Sequence, residues 1–260
     1  MLNWLQQRRQ RHILKHHAIA RPIWRELMQA ALFQRLDHQQ QQQLHRLASL
    51  FLHHKTLSAT GGMQLDDFSA AAIAAQACLP VLQLGLDWYN GWVEVIIYPD
   101  DFVAEHEHID EAGVVSRVQQ PLGGEAWLRG PVILSARSLM DDLAIKQPGH
   151  NLVIHEFAHK LDMQNGAANG MPPLHRQMRI SDWTDSFTAA FNHLQQQLAQ
   201  GETSPVDPYA ASEPAEFFAV CSENFFSNPR QLHDSWPAVY HQLTLFYRQQ
   251  PLINWPQRLP

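Results

Sequence analysis

His155-Glu156-Phe157-Ala158-His159 decides how this chain is read. Residues four apart on a helix share a face, so the two imidazoles can clamp one Zn²⁺ between them. The glutamate between them is placed to take a proton from a water that the metal has made acidic, which is the chemistry of a zinc hydrolase. With 16 His in the chain, so short a pattern needs support from its surroundings. Leu152, Val153, Ile154, Phe157, Ala158 and Leu161 supply it, because they describe a helix buried in a core. Pro148 and Gly149 punctuate its start, and Gly166 lies beyond its end. A merely structural helix would bury the charge of Glu156 with nothing to compensate it.

A catalytic zinc site takes three protein ligands and keeps one position open, so a third ligand must come from elsewhere. The spacing excludes the metzincins, since Asp162 and Asn165 stand where their Gly and third His would be. Downstream, Ser212-Glu213-Pro214-Ala215-Glu216-Phe217-Phe218-Ala219-Val220 opens a second apolar helix, with Pro214 suited to its first turn. Glu216 is the best candidate there, although a first-turn glutamate also complements the helix dipole or closes a cap. Glu213 and Glu223 compete with it. Glu223 lies near the same face as Glu216, where it would serve as the outer partner of a histidine or as a surface carboxylate.

With 260 residues and 45% hydrophobic content, the chain can bury a sizeable core, and no apolar run reaches the length of a membrane span. The expectation is one compact unit, 1–260: a basic segment at 1–20, a mainly helical part at 21–90 and a catalytic part at 91–260. A net charge of −6 argues against general nucleic-acid binding, although Arg8, Arg9, Arg11, Lys15, His12, His16 and His17 make the first segment basic. That segment reads as a flexible or helical tail. It lacks the apolar middle and small-residue cleavage site of a secretory signal, so a cytoplasmic location is expected, with neither nucleic acid nor membrane as a partner. Cys78 and Cys221 read as small core residues and not as a disulfide.

Residues 22–57 show helical apolar spacing, interrupted at Asp37, which is suited to cap the second helix. The Gln39–Gln43 run reads as the exposed start of that helix. Asp66 and Asp67 open an Ala-rich helix that stops near Pro80. Asn90-Gly91 turns into the β-rich run Trp92–Tyr98, and Pro131–Ala136 is a second β-rich run. Trp183–Ala199 and Pro237–Gln249 have helical spacing. The expected fold is α+β: helix-rich and zincin-like, with a small sheet beside the metal-binding helix. In zincins such a sheet offers an edge to which an extended peptide adds as another strand.

The run His155–His159, a Tyr-containing loop and Glu216-Phe217-Phe218-Ala219 resembles the catalytic domain of anthrax lethal factor. Over nearly the whole length the chain resembles the Mlc titration factor A family. That resemblance rests on Leu79-Pro80-Val81-Leu82, Leu84-Gly85-Leu86, Ile97-Tyr98-Pro99, Gly130-Pro131-Val132, Asp207-Pro208-Tyr209-Ala210-Ala211 and Pro214-Ala215-Glu216, in the family's order. It implies one Zn²⁺ per chain, ligands His155, His159 and Glu216, base Glu156, and Tyr209 near the substrate carbonyl. A phenol there can donate to the developing oxyanion. Left to itself, a Tyr after Asp-Pro reads as a turn residue packed at its edge. Some members carry a further metal-contacting histidine where this chain has Ser116, after Gly113-Val114-Val115. Nearby His106 and His108 are the residues that could substitute for it, but Glu105-His106-Glu107-His108 reads as a solvated loop. The resemblance thus implies an aminopeptidase-like zinc metallopeptidase acting on short or unfolded peptides, with the Mlc repressor as a partner. The alternatives are a protein that mainly sequesters Mlc, and a zinc amidase acting on non-peptide amides.

Overall fold

The computed structural model describes residues 2–100, 102–109, 115–122, 124–126 and 130–255, with the backbone alone for the strands between 102 and 126. The basic first segment is helical, α1 (Leu2–His16), and α2 (Arg21–Leu27) follows. The helix α3 (His38–His54) starts as its sequence dictates: the Asp37 carboxylate accepts from the Gln40 N–H, and the Gln40 side chain accepts from the Asp37 N–H. Helical spacing read through residue 57 overshoots, because Lys55 turns extended and β1 (Thr56–Ala59) begins. So short a strand has no alternation of its own and exists because it pairs with a neighbour. Next comes α4 (Asp67–Cys78), capped by Asp66. The β-rich run yields β2 (Glu94–Tyr98), followed by β3 (Phe102–Ile109), β4 (Val115–Leu122), β5 (Gly124–Ala126) and β6 (Val132–Ser135). The remaining helices are α5 (Leu139–Leu143), α6 (Leu152–Asp162), α7 (Ile180–Ala199), α8 (Pro214–Ser227), α9 (Pro229–Ser235) and α10 (Pro237–Tyr247).

The sheet has the order β1-β2-β6-β5, with β1, β2 and β6 parallel and β5 antiparallel. Val95, Ile97, Val132 and Leu134 are buried, while Ile96 and Ile133 alternate with them at half exposure. Such near-continuous apolar strands suit a parallel sheet covered by helices. The helix α6 lies against β5 and β6, so one sheet edge, β5, runs beside the helix that carries the two histidines. The loop reading of residues 105–108 is corrected: they belong to β3, which pairs antiparallel with β4 from Phe102↔Leu122 to Ile109↔Val115. Pairing with β4 gives their backbone groups hydrogen-bond partners. The side chains of His106, His108 and Ser116, and residues 113 and 114 altogether, lie outside the described residues.

Both site-bearing helices are apolar almost all round, and both are buried. Phe157 packs its ring 5.1 Å from Tyr89, 5.6 Å from Phe51 and 5.7 Å from Trp92. On α8, Phe217 meets Trp236 at 5.3 Å and Phe218 meets Trp183 at 5.9 Å. Truncating one such ring to Ala costs about 3–5 kcal/mol, so the backbone under the site is firmly held. The small side chains of α4 are buried on every side, which lets this helix pack closely against α3 and α6. Cys78 and Cys221 are free, and burial pushes both thiols well up from their ordinary pKa. Among the described residues no helix is long and apolar enough to cross a membrane.

Candidate metal centre

The start of α6 is over-determined. Asn151 Oδ1 accepts from the Ile154 N–H, and Asp142 Oδ2 accepts from that of Leu152 at 3.0 Å. From this fixed start, His155 and His159 project together, with ring centroids 4.8 Å apart and Nε2 atoms 3.2 Å apart. Glu216 comes from the first turn of α8. Its Oε2 lies 3.0 Å from His155 Nε2 and its Oε1 lies 3.4 Å from His159 Nε2. The donor atoms of these three residues all lie within 4.8 Å of one another. Although Oε2 is this close to nitrogen, it has no aligned hydrogen bond. Three electron-pair donors thus face a common point, and two histidines and a carboxylate are a donor set that suits zinc.

Electrostatics agree with a site built for a cation. Burial opposes protonation of His155, yet its contacts with Glu216 and Glu223 carry its pKa well above the ordinary histidine value. Burial also opposes ionisation of Glu216, but the two histidines hold its carboxyl far below the usual range. Glu223 is buried and is no surface carboxylate. Its Oε1 pairs with His155 Nδ1 at 2.8 Å, and its Oε2 accepts from the Asn151 N–H. A carboxylate on Nδ1 fixes the ring and leaves Nε2 as the lone-pair nitrogen. Asn151 in turn donates to Gln76 Oε1 on α4 at 2.7 Å, so three helices hold one imidazole. Glu213 is exposed at the N-cap of α8, makes no capping bond and is not brought to the site.

Glu156 is only 3% exposed, and its Oε2 has no hydrogen-bond partner. Burial, partly offset by the two histidines, pushes its pKa up to about 7. A carboxyl that exchanges its proton near neutrality suits a general base that must also act as an acid. Tyr209 sits in a single 3₁₀ turn (Pro208–Ala211) started by Asp207, whose Oδ1 accepts from the Tyr209 N–H. Its ring centroid lies 6.5 Å from that of His155, and the residue is 43% exposed. Burial, together with the charges of Glu216 and Glu156, pushes the phenol up to about 12, so it remains a donor at neutral pH.

Asp162 was not singled out by its chemistry in the sequence, yet it is fully buried three residues beyond His159. Its Oδ2 accepts from the N–H groups of Asn169 at 2.8 Å and Gly170 at 2.7 Å. Gly170 has φ +80°, and a Cβ there would collide with the Pro214 carbonyl. This clamp brings the loop after α6 against the residue that opens α8, two positions before Glu216. The Asn169-Gly170 turn dipeptide was the available signal. His150 was also passed over. Its Nδ1 lies 3.2 Å from Asp142 Oδ1, and that bond raises its pKa to about 9.

The profile of the family described as glucose-regulated metallo-peptidase M90 matches residues 4–248. Proteins called Mlc titration factor A are similar along most of their lengths. The protein from Cronobacter sakazakii is 39% identical over 92% of this chain and 91% of its own. The one from Salmonella arizonae is 40% identical over 88% and 91%. An Escherichia coli relative is 39% identical over 91% and 89%.

Proposed function

The chain belongs to the glucose-regulated metallo-peptidase M90 family, and on that premise we propose that it is a zinc-dependent peptidase, aminopeptidase-like, acting on short or unfolded peptides. The observation that carries this reading is the convergence of His155, His159 and Glu216 beside a buried Glu156 whose Oε2 has no hydrogen-bond partner. His155, His159 and Glu216 would hold the metal, with Glu223 orienting His155. Zinc bound there supplies Lewis acidity, polarising a carbonyl and making water easier to deprotonate. Glu156 takes the proton of the attacking water and delivers it to the departing amine nitrogen. Tyr209 donates to the carbonyl oxygen as its charge grows. An extended substrate would add along β5, the antiparallel edge beside α6.

The name of the relatives supports a second role, in which the chain binds the Mlc repressor and thereby acts on transcription without touching DNA. In the alternative reading, sequestration is the main task and hydrolysis is minor. We place the protein in the cytoplasm, as one unit with its catalytic part at 91–260. Glu156→Gln separates the readings, because it removes the base and leaves both histidines. Hydrolysis of peptide and amino-acid amides should vanish while zinc content, measured by atomic absorption on the same sample, stays near one per chain. Unchanged turnover would sink the peptidase mechanism. Unchanged Mlc binding with no turnover in wild type would favour sequestration.

A further inference from the structure

The first 25 residues hold six of the chain's 19 Lys and Arg and none of its 25 Asp and Glu. On α1 these cations are arranged and not merely concentrated. Trp4, Arg8, Arg11 and Lys15 recur at helical spacing along one face, with Leu5, Arg9, His12 and His16 beside them, and all eight are exposed. The opposite side holds the helix to the protein: Ile13 is 2% exposed, and Arg46 on α3 donates to Gln10 Oε1 at 3.4 Å. His17, just past the end of α1 and on the Ile13 side, packs towards α3, with its ring 5.6 Å from that of His53. None of Arg8, Arg9, Arg11 and Lys15 pairs with a carboxylate among the described residues. Arg8 instead covers the Trp4 ring at 5.4 Å.

We propose that this face of α1 docks on an anionic lipid surface. The unpaired cations ask for a negatively charged partner, while the rest of the chain is acidic and would be repelled unless α1 were the side presented. Nucleic-acid phosphate would satisfy the arginines, but it has no use for Leu5. Trp4 and Leu5 are 59% and 58% exposed, next to each other at the end of the row. A bilayer interface takes both kinds of group at once: headgroup phosphates meet the arginines, and the indole and leucine enter the boundary of the acyl region. The attachment is peripheral, since no helix among the described residues is long and apolar enough to span, and it revises the expectation of no membrane partner.

Sedimentation of the full-length, zinc-loaded protein with vesicles tests this. Vesicles of phosphatidylglycerol and phosphatidylcholine should carry the protein down at low salt, vesicles of phosphatidylcholine alone should not, and added salt should release it. The triple variant Arg8→Glu, Arg11→Glu, Lys15→Glu should lose affinity by about a hundredfold or more. Trp4→Ala with Leu5→Ala should weaken binding while keeping its salt dependence. Circular dichroism and zinc content check that each variant is folded, and all five substituted side chains are exposed. No preference for anionic vesicles, or equal binding by the charge-reversed variant, overturns the proposal. Binding to a short DNA duplex with the same arginine dependence, and none to vesicles, overturns it in favour of a phosphate-backbone ligand.

Discussion

At the scale of single residues, three carboxylates on one stretch of chain have three fates decided by position. Glu216 faces both histidines, Glu223 faces the back of one, and Glu213 faces solvent. Zinc titration should rank them accordingly: Glu216→Ala weakens affinity most, Glu223→Gln by about 10–100-fold, and Glu213→Ala hardly at all. Normal binding by Glu216→Ala would remove it from the ligand set. Tyr209→Phe should keep zinc and fold but lower kcat far more than it raises KM, by about 2 kcal/mol in barrier or less. The cost should sit at the low end because zinc bound at the site would share the oxyanion's charge. A kcat close to wild type would reduce Tyr209 to a turn residue. The histidines and Glu156 were legible because five consecutive residues carry their geometry with them. The network behind His155 was not, since Glu223 meets Asn151, and Asn151 meets Gln76, only after α4, α6 and α8 have packed.

At the scale of elements, the site depends on how α8 is set against α6, and the loop between them does part of the setting. Gly170→Ala should be costly for two reasons: its φ of +80° disfavours any side chain, and the new Cβ meets the Pro214 carbonyl. The expected result is a loss of about 2 kcal/mol or more in stability, together with weaker zinc binding, because Pro214 leads directly into Glu216. Gly166→Ala is the control. It also sits at positive φ, but nothing lies near its Cβ, so it should cost stability without loosening the metal. Equal zinc affinity in both variants would show that the clamp does not position Glu216. The long helices could be read from apolar period and from the caps Asp37 and Asp66, whose side chains act within three residues. Thr56–Ala59 could not, because a four-residue strand is defined by its partner β2 and not by its own sequence.

For the whole molecule, stability should carry a pH signature from His150. Its hydrogen bond to Asp142 raises its folded pKa from 6.5 to about 9, so the folded state holds that proton more tightly than the unfolded chain does. The contribution is full below pH 6.5 and is lost as pH rises through 9. With 42% of the side chain exposed, solvent screening should leave about 1 kcal/mol. Urea unfolding across that range should show His150→Gln losing the wild-type decline, and parallel curves would contradict the assignment. The helix-rich α+β class and the sheet beside α6 were legible from patterning. The strand order and the antiparallel β5 were not, being properties of long-range pairing.

The two ligand-bearing helices are separated by the whole stretch from His159 to Glu216, which includes the loop after α6, all of α7 and the turn at Tyr209. Zinc held between them would therefore be a staple as well as a reagent, closing a long loop whose free ends the unfolded chain would have to bring together. Its hold would grow with the logarithm of free zinc, reaching about 2.7 kcal/mol at a hundredfold excess over Kd. Proteases should then cut the stripped protein between residues 163 and 213 and spare the loaded one. A cell short of zinc would not merely hold idle copies of this protein; it would hold copies marked for destruction.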